Sequence, residues 1–123
     1  MNKDLHLNVN REWFELIGQG YKTEEYRQIK KYWHSRLLDQ HLHFKTFDRV
    51  IIRNGYDRFA PELVMEFKGI DKKILGEAES FYCPDEWIGQ PVYAIQLGKL
   101  LESSNWEPDI IWSGISIEMK NPY

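Results

Sequence analysis

Glu62-Leu63-Val64-Met65-Glu66-Phe67-Lys68 sets apolar Leu63, Met65 and Phe67 in alternation with Glu62, Val64, Glu66 and Lys68. Successive side chains of a strand point to opposite faces, so this pattern predicts a strand with one face on a core. Upstream, Val50 and Ile52 alternate with Arg49, Ile51 and Arg53, and Asn54-Gly55 marks a turn. Downstream, Tyr93, Ile95 and Leu97 alternate with Val92, Ala94 and Gln96, and Ile115, Ile117 and Met119 repeat the period near the end. Leu5, Leu7 and Val9 do the same at the front, against His6 and Asn8.

Helical signals interrupt this run only early. Asn10 suits a helix N-cap, and Trp13, Phe14 and Ile17 follow at helical spacing until Gly18 and Gly20. A second amphipathic segment carries Ile29, Tyr32, Trp33 and Leu37 on one face and Gln28, Lys31, His34 and Ser35 on the other. Segment 76–90 is ambiguous, although Pro84-Asp85-Glu86 suits the start of a helical turn. Two helices followed by several short strands predict an α+β domain whose mostly antiparallel sheet curls toward a small barrel. With 123 residues, and no repeat or Gly/Ser/Pro linker, we expect a single domain over 1–123. Its core is expected over about residues 4–102, with 103–123 as an extension holding one added strand.

No apolar run approaches the roughly 18 residues of a membrane-spanning helix, and Met1-Asn2-Lys3-Asp4 opens no signal-peptide segment. Cys83 is the only cysteine, which excludes an internal disulfide. A cytoplasmic protein with no membrane partner is the expectation. The net charge of -3 argues against coating nucleic acid by charge alone. It conceals an asymmetry, because residues 1–60 hold 11 Lys or Arg against 8 Asp or Glu and residues 61–123 hold 5 against 11. A localised basic face is therefore allowed, most of it between Lys22 and Arg58.

Gly20-Tyr21-Lys22-Thr23-Glu24-Glu25-Tyr26-Arg27 concentrates chemistry. If residues 24–27 begin a strand, Glu25 and Arg27 share a face, Tyr26 points oppositely into the core, and Lys22 arrives from the preceding loop. Such an arrangement suits a pocket for a polar planar or anionic ligand. The competing reading is a solvated strand edge on which Glu25 and Arg27 merely pair.

The spacing Gly20-x-Lys22-x-x-Glu25-x-Arg27 resembles the signature of the ASCH domain family, whose members adopt a PUA-like β-barrel. Leu5-His6-Leu7 as a first strand, a helix with Trp13-Phe14, a strand from Asp48 to Arg53 and a late strand from Trp87 to Leu97 follow the order of such domains. The resemblance implies a cleft that binds RNA or a modified nucleobase or nucleotide, with Gly20, Tyr21, Lys22, Glu25 and Arg27 as ligand-binding residues. It also leaves open an enzyme, ribonuclease or amidohydrolase-like, in which Lys22 and Glu25 would be catalytic. The amidohydrolase branch carries a threonine where this chain has Glu25, and Thr23 is out of register, so the attacking hydroxyl is missing there. A protein-interaction module using the acidic second half is a third possibility. On the binding reading, Lys22→Ala and Glu25→Gln are expected to weaken ligand binding with little loss of stability.

Eighteen residues are aromatic. Tyr26, Tyr32 and Trp33 sit at core positions, whereas Tyr21, beside Gly20, is the candidate for stacking on a base. Lys30, Lys31, Arg49 and Arg53 are candidates for contacting a nucleic-acid backbone, and Arg58 extends that cluster. His41-x-His43 with Asp39 and His34 has a weak chelating spacing and is read as a solvated connection, so neither metal nor cofactor is expected. Cys83 is read as a small buried hydrophobe. Trp106, in Asn105-Trp106-Glu107-Pro108, either packs back on the barrel or presents an interface, and Trp112 lies beyond it.

Overall fold

A computed structural model describes residues 3–108. The expected features at Trp112, Ile115, Ile117 and Met119 lie outside the described residues. Five strands, β1 (Asp4–Asn8), β2 (Glu24–Gln28), β3 (Arg49–Arg53), β4 (Glu62–Ile74) and β5 (Pro91–Ser104), form one sheet in the order β1-β3-β4-β5-β2. Among the described residues only β1 and β3 run parallel. Helix α1 (Arg11–Gly18) follows β1 and helix α2 (Lys31–Leu37) follows β2, so the chain is α+β with a curled, mixed half-barrel. Among the described residues no helix is long and apolar enough to cross a membrane.

The expected alternation is met on the concave face. Leu5, Leu7, Val50, Ile52, Leu63, Met65, Tyr93, Ile95 and Leu97 are buried together with Phe14 and Ile17 of α1. The curl has its origin in β4 and β5. Both are long, and their pairing slips between Val64 and Met65, Met65 and Phe67, and Phe67 and Gly69. Each slip bends the ladder and adds twist. Gly69, at φ +126, supplies the backbone conformation that a side chain would oppose.

Several local expectations needed correction. Strand β4 continues past Lys68 to Ile74, and β5 begins at Pro91 rather than Trp87, which belongs to a short 3-10 turn, Asp85–Trp87. Helix α2 has only seven residues and buries Leu37 alone. Less than two turns cannot carry a broad apolar stripe, and Tyr32 is 58% exposed. Tyr26 is buried, but across the sheet from the main core, with Leu75, Cys83, Val92 and Ala94.

Helix α1 is capped as the sequence indicates, with Asn10 Oδ1 accepting from the Trp13 amide at 3.1 Å. Beyond β5 the chain folds back on this helix. Trp106 meets the Phe14 ring edge-on at 5.9 Å, and its indole N–H donates to Glu15 at 3.0 Å. Gly18 makes this contact possible, since a Cβ there would stand 2.6 Å from the Trp106 ring. We expect Trp106→Ala to cost about 3 kcal/mol in urea unfolding. Gly18→Ala should destabilise through the same contact. The double variant should then fall short of additivity, and strict additivity would separate Gly18 from Trp106.

Candidate functional site

Helix α1 ends in a reversal that delivers Lys22. The Tyr21 and Lys22 amides both donate to Leu16 O at 2.9 Å, and Gly20 bends the backbone at φ +86. Strand β2 then starts, held antiparallel to β5 with Glu25 opposite Ile95 and Arg27 opposite Tyr93. Directly opposed residues share a face. Glu25 and Arg27 therefore face the concave side, and the solvated-edge reading of the motif is excluded by burial, with Lys22 3% and Glu25 5% exposed.

The three charges form one cluster. Glu25 Oε2 lies 3.0 Å from Arg27 Nη2, and Glu25 Oε1 lies 3.6 Å from Lys22 Nζ. Lys22 also donates to the Tyr82 carbonyl, and its ammonium sits 4.2 Å from the Tyr26 ring centroid and 5.3 Å from that of Trp13. Arg27 reaches Asn8 O at 3.0 Å and packs 4.8 Å above Trp33. Lys22, Glu25 and Arg27 line a hollow of about 200 Å³ with Asn8, Trp13, Tyr26 and the loop residues Tyr82, Cys83 and Trp87. That volume lies below the roughly 300–1,000 Å³ of clefts for drug-sized ligands, so it suits a single ring system.

Chemically, the hollow offers both hydrogen-bond polarities. A carboxylate has about four acceptor sites and an ammonium three donors, so Glu25 and Lys22 retain capacity beyond their protein partners. Burial holds the Lys22 ammonium below its ordinary basic range, with Glu25 pulling it back up. Burial likewise raises the Cys83 thiol, against the pull of Lys22. Cys83 therefore behaves as the buried hydrophobe expected, not as a thiolate.

The other candidates are dispersed. Tyr21 is 47% exposed and does not line this hollow. Lys30 and Lys31 are exposed at the start of α2. Arg49 is tied to Asp4 at 2.9 Å and lies 4.0 Å from Glu102, whereas Arg53, four residues along β3, pairs with Glu62 at 3.6 Å. The two therefore lie at opposite ends of β3 and do not share a groove. Asp39 accepts from the amides of His41 and His43, which explains that cluster as a turn, and His34 contacts the Tyr93 hydroxyl at 3.2 Å. Among the described residues no group of three or more His, Cys, Asp or Glu side chains is placed to hold a metal ion.

Sequence reasoning passed over Asn8, Trp13, Tyr82 and Trp87 as lining residues. Pro84 opening a turn next to two aromatics was the available signal for the last two. No family model, curated protein or solved structure matches the chain.

Burial also revises the expected effect of substitutions. Glu25→Gln leaves Lys22 with an uncompensated buried charge, which costs about 3–5 kcal/mol rather than little. A pH effect follows from the depressed lysine. Between its folded value and 10.5 the unfolded chain binds a proton that the folded protein has released, so stability rises with pH across that window and is lower beneath it. We expect the stability of the wild type relative to Lys22→Met to climb as pH approaches 10.5. A flat difference in denaturant midpoints would show that Lys22 is not held this way.

Proposed function

We propose that this chain is an ASCH-type domain of PUA-like fold that binds RNA, or a modified nucleobase or nucleotide, in the hollow around Lys22, Glu25 and Arg27. One observation carries the reading. Two cations and a carboxylate from the Gly20-x-Lys22-x-x-Glu25-x-Arg27 segment are drawn together at one small, aromatic-lined hollow. Keeping such charges away from water is unfavourable, and replacing a buried ionic cluster with apolar residues is often neutral or stabilising. Retaining it is easier to understand where the cluster serves a ligand.

In this reading Glu25 accepts from the exocyclic amine of a base, Lys22 and Arg27 donate to its carbonyl oxygens, and the Trp13 and Trp87 rings enclose its faces. A carboxylate and a cation side by side match the mixed donor and acceptor edge of a nucleobase better than they match a simple anion, which Glu25 would repel. The depressed Lys22 ammonium supports a second reading, in which a lysine nearer neutrality moves protons as an enzyme acting on RNA or an acylated nucleoside requires. Thr23, the nearby hydroxyl, is exposed and offset from the Glu25 position, so the binding reading is preferred.

The test is binding by a panel of ribonucleosides, modified nucleosides and short RNAs, measured alongside unfolding for every variant. Trp87→Leu, which alters the wall and keeps the charges, should fold and weaken binding by roughly tenfold, the loss of one stacked base contact. Lys22→Met should abolish specificity at a stability that still leaves the domain folded. Folded variants that bind as the wild type does would refute the site. Turnover of RNA or acylated nucleosides that vanishes in Lys22→Met would favour the enzyme instead.

A further inference from the structure

Arg27 is a wall with two sides. Beyond it, and sharing Asn8 as well, lies a second and larger hollow of about 510 Å³. Its lining includes His6 of β1, Arg27 of β2, Arg36 of α2 and Arg53 of β3, with the Tyr32 and Tyr56 rings at its margin. Among the described residues no Asp or Glu lines it, although three guanidinium groups do. The sequence scatters these residues from position 6 to position 56, and only the pairing of β1 with β3 and the placement of α2 bring them together.

The guanidinium groups are not saturated by the protein. Arg27 shares Glu25 with Lys22, and Arg53 is held through Nε by Glu62 at 3.6 Å and through Nη2 by the Asp57 carbonyl at 2.8 Å, which leaves donors on each fork uncommitted. Arg36 has no ion-pair partner among the described residues and rests against Tyr32, with its Cζ 5.7 Å from the ring centroid and its Nη1 donating to the Tyr32 hydroxyl at 3.4 Å. Among the described residues, two buried side-chain N or O atoms lack a hydrogen-bond partner, and they are Arg27 Nε and Arg53 Nε. Both belong to arginines lining this one hollow. Arg53 Nε is the atom that faces Glu62, at 3.6 Å, which leaves Arg27 Nε as the unpartnered donor, and three guanidinium groups lining one hollow with no described carboxylate in its wall call for an acceptor-rich anion. Guanidinium forks match phosphate oxygens in number and geometry. Tyr32 and Tyr56, 58% and 89% exposed, offer ring faces beside that anion.

We propose that this second hollow is a phosphate site, and that the phosphate it takes belongs to the molecule whose base enters the hollow on the other side of Arg27. The ligand class is then a nucleotide or a nucleic-acid strand in preference to a free base or nucleoside. This link between the two hollows rests on the reading of the Lys22 site given above, whereas the phosphate site stands on its own residues.

Two probes separate the claims. Inorganic pyrophosphate needs no base, and the side-chain Nε–H resonances of Arg27 and Arg53 report its arrival directly by NMR. Ribonucleosides, their 5′- and 3′-monophosphates and eight-nucleotide homopolymeric RNAs report the combined site. Pyrophosphate should shift both resonances, and at least one monophosphate should bind roughly tenfold tighter than its nucleoside, as one charge-assisted contact implies. Arg36→Gln should remove most of that preference without altering nucleoside binding, and Lys68→Ala, an exposed cation outside both hollows, should leave it intact.

Octamers binding through this site should lose about 0.7 from their log–log salt slope per charge removed, and octamers binding tighter than monophosphates identify a strand as the ligand. Unshifted arginine resonances, or phosphate preference that survives Arg36→Gln, would overturn the phosphate site. Arginine shifts and Arg36 dependence together with nucleotide affinity unchanged in Lys22→Met would keep the phosphate site and refute the base hollow.

Discussion

A single guanidinium joins the two edges of the sheet. Strands β1 and β2 are the outermost of the five and form no ladder with each other, yet Arg27 of β2 donates to Asn8 O of β1 at 3.0 Å. An edge carbonyl that would otherwise need water is satisfied, and the curl produced by the slips between β4 and β5 is held at its open side. Arg27 reaches this position because Glu25 anchors it from two residues away and Trp33 supports its face. Without Glu25, the arginine and Lys22 would share a buried space as like charges. The site and the half-barrel are therefore the same piece of construction.

The loop between β4 and β5 completes it. Residues 75–90 contribute Leu75 and Cys83 to the cluster around Tyr26, and the Tyr82 carbonyl to the Lys22 ammonium. Glu24 and Glu79 hold Lys73 between them at 3.0 and 3.3 Å, pinning the loop to β2 on the convex face. On the β1 side of the hollow, Asn8 and Asn54 exchange side-chain bonds with the backbone of Gly55 and Val9. Strand β2 thus supplies Glu25 and Arg27, the reversal before it supplies Lys22, and braced loops supply walls.

Much of the fold was legible because one face of each strand packs on a single continuous core, even where β5 buries Val92 and Ala94 on its other face. Leu5 and Leu7, Val50 and Ile52, and Tyr93, Ile95 and Leu97 each face one core, so the period of two survives in the sequence. Where a strand faces the core on neither side the signal vanishes. Asp71, Lys72 and Lys73 belong to β4 only because β5 is there to pair with them. Tyr32 misled for a related reason, since helical spacing presumes a helix long enough to present a face, and α2 is not.

For the site, the adjacency of Lys22, Glu25 and Arg27 was legible because six residues of turn and strand contain it. Its depth was not, because Ile95, Tyr82 and Trp87, which enclose it, come from distant segments. The second hollow was invisible for the same reason, with its cations drawn from three elements and no local spacing to betray them.

Sheet order also imposes an order of events on synthesis. Both edge strands come from the first 28 residues, but β2 has no hydrogen-bonding partner until β5, residues 91–104, has been made. Lys22 and Glu25 therefore remain in water until β5 has been made, and the desolvation of their charges waits for its pairing with β2. Contacts of such sequence separation form slowly. The nascent chain spends that interval with an unpaired edge, and the glutamates, lysine and arginine along residues 22–27 then act as a solubilising guard against pairing with other chains.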